Sequence, residues 1–76
     1  MKDLLQYMAE QLVEKPEEVR VTERESAGET TLELRVAPGD MGKVIGRNGV
    51  IAKDLRYIVR FTAPPEKRVN IEIVDK

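Results

Sequence analysis

The sequence predicts an α+β fold of order α-β-β-α-α-β, in which a three-stranded mixed sheet carries three helices packed on one face. Three observations predict it. Apolar residues recur at the helical period near the N-terminus and again after residue 50. Strict apolar/polar alternation marks strands around residues 32–36 and 69–73. Glycine and proline clusters then separate the elements.

Residues 1–14 read as an amphipathic helix, because Leu4, Leu5, Met8 and Leu12 form one stripe at the 3.6 period. Pro16 stands at or just past its end. Val19 to Ser26 is a candidate strand with Val19 and Val21 on one face, and Ala27-Gly28-Glu29 reads as a hairpin turn. Thr30 to Ala37 is a clearer strand, since Leu32, Leu34 and Val36 alternate with Glu33 and Arg35. Pro38-Gly39 stops it. Asp40 then stands where it can cap a short helix running through Val44 and Ile45. Gly46 to Gly49 interrupts that helix, a longer one follows from about Val50 to Thr62, and Pro64-Pro65 closes it. Val69, Ile71 and Ile73 form the last strand. A two-strand hairpin is antiparallel, whereas a strand reached through a helix pair requires a crossover, so the sheet is expected to be mixed.

A chain of 76 residues suffices for one domain, expected to span 1–76, and a domain this small is marginal alone. With no cysteine it has neither a disulfide nor a thiolate metal site to add stability. With no histidine it lacks the usual general base and metal ligand. Asp54 and Glu66 are isolated carboxylates, and no nucleophile stands beside a base, so no enzyme activity, cofactor, metal or small-molecule substrate is expected. No apolar run approaches the ~20 residues of a membrane span, and the N-terminus lacks a signal-peptide pattern. No membrane association and a cytoplasmic location are the expectations.

The formal net charge of -1 conceals a strong asymmetry. Residues 1–40 carry 5 Lys/Arg against 10 Asp/Glu, whereas residues 41–68 carry 7 against 2. One segment is therefore suited to an anionic partner, and the acidic half reads as a solvated outer face.

The chemistry concentrates in Asp40-Met41-Gly42-Lys43-Val44-Ile45-Gly46-Arg47-Asn48-Gly49-Val50-Ile51-Ala52-Lys53-Asp54-Leu55-Arg56. Two glycines three apart join two helical patterns, where a missing Cβ permits a sharp bend and a close approach. A helix that starts after Gly49 turns its free N–H groups and positive dipole end toward the loop, which suits phosphate. Arg47 adds a cation in the loop, and Lys43, one turn earlier, can reach the same space. On the following helix Ile51, Ala52, Leu55, Ile58, Val59 and Thr62 share one side, with Ile51, Leu55 and Ile58 as core anchors. Lys53, Arg56 and Arg60 share the opposite side, flanked by Tyr57 and Phe61. There is no G-K-[ST] ending and no G-x-G-x-x-G, so the loop is not a nucleotide-binding P-loop or dinucleotide fingerprint.

Val44-Ile45-Gly46-Arg47-Asn48-Gly49 resembles the V-I-G-x-x-G signature of the KH family. The element order is similar to the type II, bacterial form of that fold, and the length resembles the small stand-alone KhpA family within it. The resemblance implies that the loop clamps the sugar-phosphate backbone of about four nucleotides of single-stranded RNA. By position, Gly46, Arg47, Asn48 and Gly49 would contact backbone, with Lys43 and Lys53 adding charge. Val44, Ile45 and Ile51 would build the support or the floor of a groove for the bases, with Thr31 to Val36 as the adjoining strand. The implied function is an RNA chaperone or adaptor. The implied assembly is a homodimer, or a heterodimer with a larger multidomain KH protein.

Several readings stay open at this level. The Lys53, Arg56 and Arg60 stripe is either a solvated face or an extension of the phosphate track. Tyr57 and Phe61 either pack in the core or form an exposed flank used as a dimer interface. Tyr7 is expected to pack. A protein-interaction module on a KH scaffold with weak RNA contact is the alternative function, and an accessory factor acting on structured RNA is a third.

Overall fold

The computed structural model describes residues 2–74. Helix α1 spans Lys2–Leu12, strands β1 and β2 span Arg20–Ser26 and Glu29–Arg35, helices α2 and α3 span Met41–Ile45 and Val50–Thr62, and strand β3 spans Arg68–Val74. Single 3₁₀ turns at Pro16–Glu18, Pro38–Asp40 and Arg47–Gly49 lie between them. The order and fold class are those expected from the sequence, and α3 has the predicted limits.

β2 is the central strand, antiparallel to β1 and parallel to β3. Ser26 pairs with Glu29 across a two-residue turn whose central residues, Ala27 and Gly28, both have positive φ. That is the turn whose twist matches a hairpin's, and it places Glu29 in the strand rather than in the turn. Val21, Thr30, Leu32, Leu34, Val69 and Ile71 are buried on the face that meets the helices. Leu5 and Ala9 of α1, Val44 of α2, and Leu55 and Val59 of α3 close the core over them. Leu5, Leu32 and Leu34 are fully buried, each adding about 2 kcal/mol relative to exposure.

The opposite sheet face is polar and held by charge pairs. Arg24 lies 2.9 Å from Glu33 and 3.7 Å from Glu72, while Thr22 donates to Glu33 at 3.2 Å. Along β1 only Val21 is buried, so the strand shows none of the alternation that β2 shows. At the hairpin end the Lys67 ammonium meets the Glu25 carboxylate at 3.0 Å, and this hydrogen bond and charge hold Glu25 below the usual carboxylate range.

Four expectations are corrected. Asp40 occupies the N-cap position of α2, but its side chain makes no capping bond there. It is 3% exposed, and its carboxylate accepts the backbone N–H groups of Glu14 and Lys15 at 3.2 and 3.0 Å, tying the chain after α1 to the start of α2. Ile58 is not a core anchor, because α3 seats Ala52, Leu55 and Val59 toward the interior and turns Ile58 aside. α1 buries Leu5 and Ala9, whereas Leu12, at its last turn, stays 37% exposed. Tyr7 is 61% exposed rather than packed. It lines a shallow apolar groove between α1 and α3 with Met8, Leu12, Ile51 and Ile58, because the 11 residues of α1 cover only part of α3's flank.

Candidate nucleic-acid interface

The loop is built by backbone conformations that few residues accept. α2 ends as the Gly46 N–H donates to the Gly42 carbonyl at 2.9 Å. Gly46 itself has φ 76 and ψ 172, a region that is essentially glycine's alone. The left-handed pair Asn48 (φ 56, ψ 24) and Gly49 (φ 75, ψ 17) then reverses the chain, and the Gly49 N–H donates to the Gly46 carbonyl at 3.1 Å. Asparagine is among the few side chains that tolerate that conformation.

Gly46 is also a place of close approach. A Cβ built on it would lie 2.6 Å from Cγ1 of Ile51 and 3.0 Å from both Cβ and Cδ1. Ile51 therefore lies directly against the loop backbone and holds its first residue in place. At Gly49 no atom lies within 4 Å of an added Cβ. The two glycines thus serve different ends, one admitting a packed side chain and the other only a turn.

The predicted site residues separate into buried and exposed side chains. Val44 is fully buried and reaches a ligand only through the loop it anchors. Ile51 is half-buried between Gly46 and the α1–α3 groove. Ile45 reaches the surface at 36% exposure, and Arg47, Asn48 and Lys53 are exposed. Lys43 is drawn toward Glu14, whose carboxylate lies 3.8 Å from its ammonium. No side chain caps the N-terminus of the 13-residue α3, so the positive end of its dipole stands behind the loop without a protein counter-charge. A bent backbone, an uncapped helix end and an exposed guanidinium together make a seat for phosphate oxygens.

Tyr57 and Phe61 are 71% and 80% exposed and lie stacked, with centroids 6.4 Å apart and planes at 19°. The core alternative for them falls. β2, the strand expected to adjoin the base groove, is hydrogen-bonded along both edges. Among the described residues no cluster of His, Cys, Asp and Glu could hold a metal ion, and no helix is long and apolar enough to cross a membrane. Sequence reasoning missed the tie from Arg60, whose Nε donates to the Val69 carbonyl at 3.2 Å. An arginine near a helix C-terminus was the only signal for it.

Comparison with known proteins extends this picture. The chain is 49% identical over 75 residues to the RNA-binding protein KhpA of Clostridium acetobutylicum, covering 97% of this chain and 100% of the relative. It is 48% identical to the RNA-binding protein KhpA of Clostridium perfringens, with the same coverage. It is 45% identical over 76 residues to that of Halalkalibacterium halodurans, covering 99% of this chain and 100% of the relative. No solved structure matches the chain. The KhpA/KhpB KH-domain family matches residues 2–73, the whole span from α1 into β3 with the Gly46–Gly49 loop inside it, and the chain belongs to that family.

Proposed function

We propose that the chain binds single-stranded RNA by clamping its backbone in the Gly46–Gly49 loop, and that it acts as an RNA chaperone or adaptor in the cytoplasm. The observation that carries this is the loop itself, a strained turn with an exposed Arg47 set before the uncapped end of α3. The printed names of the relatives, RNA-binding proteins, support the ligand class. Binding of this kind asks nothing of a catalytic group.

Salt and strand type test it. A clamp on about four nucleotides neutralises few phosphates, roughly 2–4. With about -0.7 per phosphate for single strands, log K against log salt should fall with a slope of roughly -1.5 to -3. Single-stranded RNA should bind better than duplex. A slope near zero, or tighter binding to duplex, would count against the clamp.

The exposed aromatic pair favours a second feature of the same reading, a dimer. A small domain gains from covering apolar surface, and Val50, Tyr57 and Phe61 fall at i, i+7 and i+11 on the outer side of α3. A second copy, or a larger protein with its own KH domain, can cover them through the same helix. Two clamps on one strand then gain affinity through effective concentration. The wild-type chain should sediment as a dimer at micromolar concentration. Phe61→Asp or Tyr57→Glu should give monomers, with binding to long RNA reduced about 10- to 100-fold and to short RNA little changed. A wild-type chain that sediments strictly as a monomer removes the dimer and leaves the clamp untouched.

A further inference from the structure

The loop is not the only cationic feature of this face. Lys53, Arg56 and Arg60 stand at i, i+3 and i+7 of α3, within about 60° on the helix projection and about 4.5 and 6 Å apart along its axis. They begin one turn after the loop and run toward the helix C-terminus.

Among the described residues five cations elsewhere lie against carboxylates, while Lys2, Lys15 and Arg20 also lack one but stand outside α3, Arg20 donating to the Glu17 and Val19 carbonyls. Arg24 and Arg35 lie against Glu33, Lys43 against Glu14, Lys67 against Glu25, and Arg68 against Glu29. Among the described residues no carboxylate stands within ion-pair distance of Arg47, Lys53, Arg56 or Arg60. Asp54, the only acid of α3, points about 100° away from Lys53 and lines the α1–α3 groove instead. Arg60 is moreover pre-oriented. Its Nε is engaged by the Val69 carbonyl, which holds the guanidinium beside β3 and leaves the terminal nitrogens for a ligand. Like charges left in a row repel one another, so the row is best satisfied by a polyanion.

We propose that Lys53, Arg56 and Arg60 form a phosphate track that holds the same RNA strand beyond the nucleotides in the loop. The proposal rests on the clamp reading and adds to it a longer site. Each domain would engage roughly three phosphates more than the loop does, without reading sequence.

The test titrates the wild-type chain with a uridine tetranucleotide and a uridine decanucleotide across a range of salt. Three further phosphates at about -0.7 each should steepen the decanucleotide slope by about 2 relative to the tetranucleotide. In Arg56→Gln/Arg60→Gln, which leaves Lys53 beside the loop, that difference should shrink to about 0.7, with tetranucleotide binding changed less than about 3-fold and melting close to wild type. Arg60→Lys alone, which keeps the charge, should retain most of the difference. A slope difference that survives the double substitution in full belongs to a second clamp in a dimer and overturns the track while sparing the loop. A wild-type chain that binds neither oligonucleotide overturns the clamp and the track together.

Discussion

Changing Arg47 and Asn48 together to Asp should weaken binding of single-stranded RNA at least about 100-fold and leave the fold intact. Hydrogen bonds to charged groups contribute about 1.5–3 kcal/mol each, so losing two of them removes about 3–6 kcal/mol. That corresponds to a factor of 100 or more. The two carboxylates add repulsion at the place where phosphate must come closest.

The choice of Asp separates binding from folding. Asn48 sits at φ 56, where Asp is tolerated almost as well as Asn. Arg47 and Asn48 are exposed, and neither side chain makes a hydrogen bond or ion pair among the described residues. Both positions precede the N-terminus of α3, where negative charge is favourable to the helix dipole. Thermal melting of the variant should therefore match wild type to within about 0.5 kcal/mol. The measurement is a titration of a short unstructured RNA alongside a melt. Wild-type affinity in a folded variant would remove the loop from the binding site.

The sequence was a good guide where burial follows period and a poor one where the neighbour decides. β2 was legible because a central strand covered on one face alternates cleanly, and Leu32, Leu34 and Val36 are all buried. β1 was read from Val19 and Val21 alone, since on this edge strand Glu23 and Glu25 fall on the same face as Val21 and stay exposed, although their partners Leu32 and Thr30 are buried. The limits of α3 were marked by Gly49 and by the proline pair after it, but its rotation was not. Ile58 and Val59 are equally apolar, and only the position of α1 makes one exposed and the other core. Asp40 shows the same limit. A residue before a helix signals a cap, whereas its bonds to Glu14 and Lys15 span 25 and 26 positions and depend on tertiary approach. For the site, the glycine pair and Arg47 could be read directly. That Lys43 is shared with Glu14, and that Ile51 packs on Gly46, could not.

The contact between Ile51 and Gly46 yields the largest expected effect on stability. Gly46→Ala should destabilise the domain by about 2–6 kcal/mol, from two sources. An L-residue at φ 76 and ψ 172 carries backbone strain of about 1–3 kcal/mol. The new methyl also meets Ile51 at 2.6 Å, and overpacking costs about 1–3 kcal/mol more. One contact, at 3.0 Å, is to Cβ of Ile51, so turning that side chain to another rotamer does not relieve it. A chain of 76 residues has roughly 4–11 kcal/mol of stability in total, so the loss should lower the melting temperature by more than about 10 °C. Gly49→Ala is the internal comparison. Its φ of 75 is also left-handed, but the space around it is open, so about 1 kcal/mol should be lost. Ile51→Ala should cost stability alone yet offset part of the Gly46→Ala penalty when the two are combined, because it removes the Cγ1 and Cδ1 that the methyl meets. Melting curves of the four variants decide the matter. If Gly46→Ala melts together with Gly49→Ala, or if the two substitutions at 46 and 51 simply add, the loop does not depend on Ile51 lying against glycine.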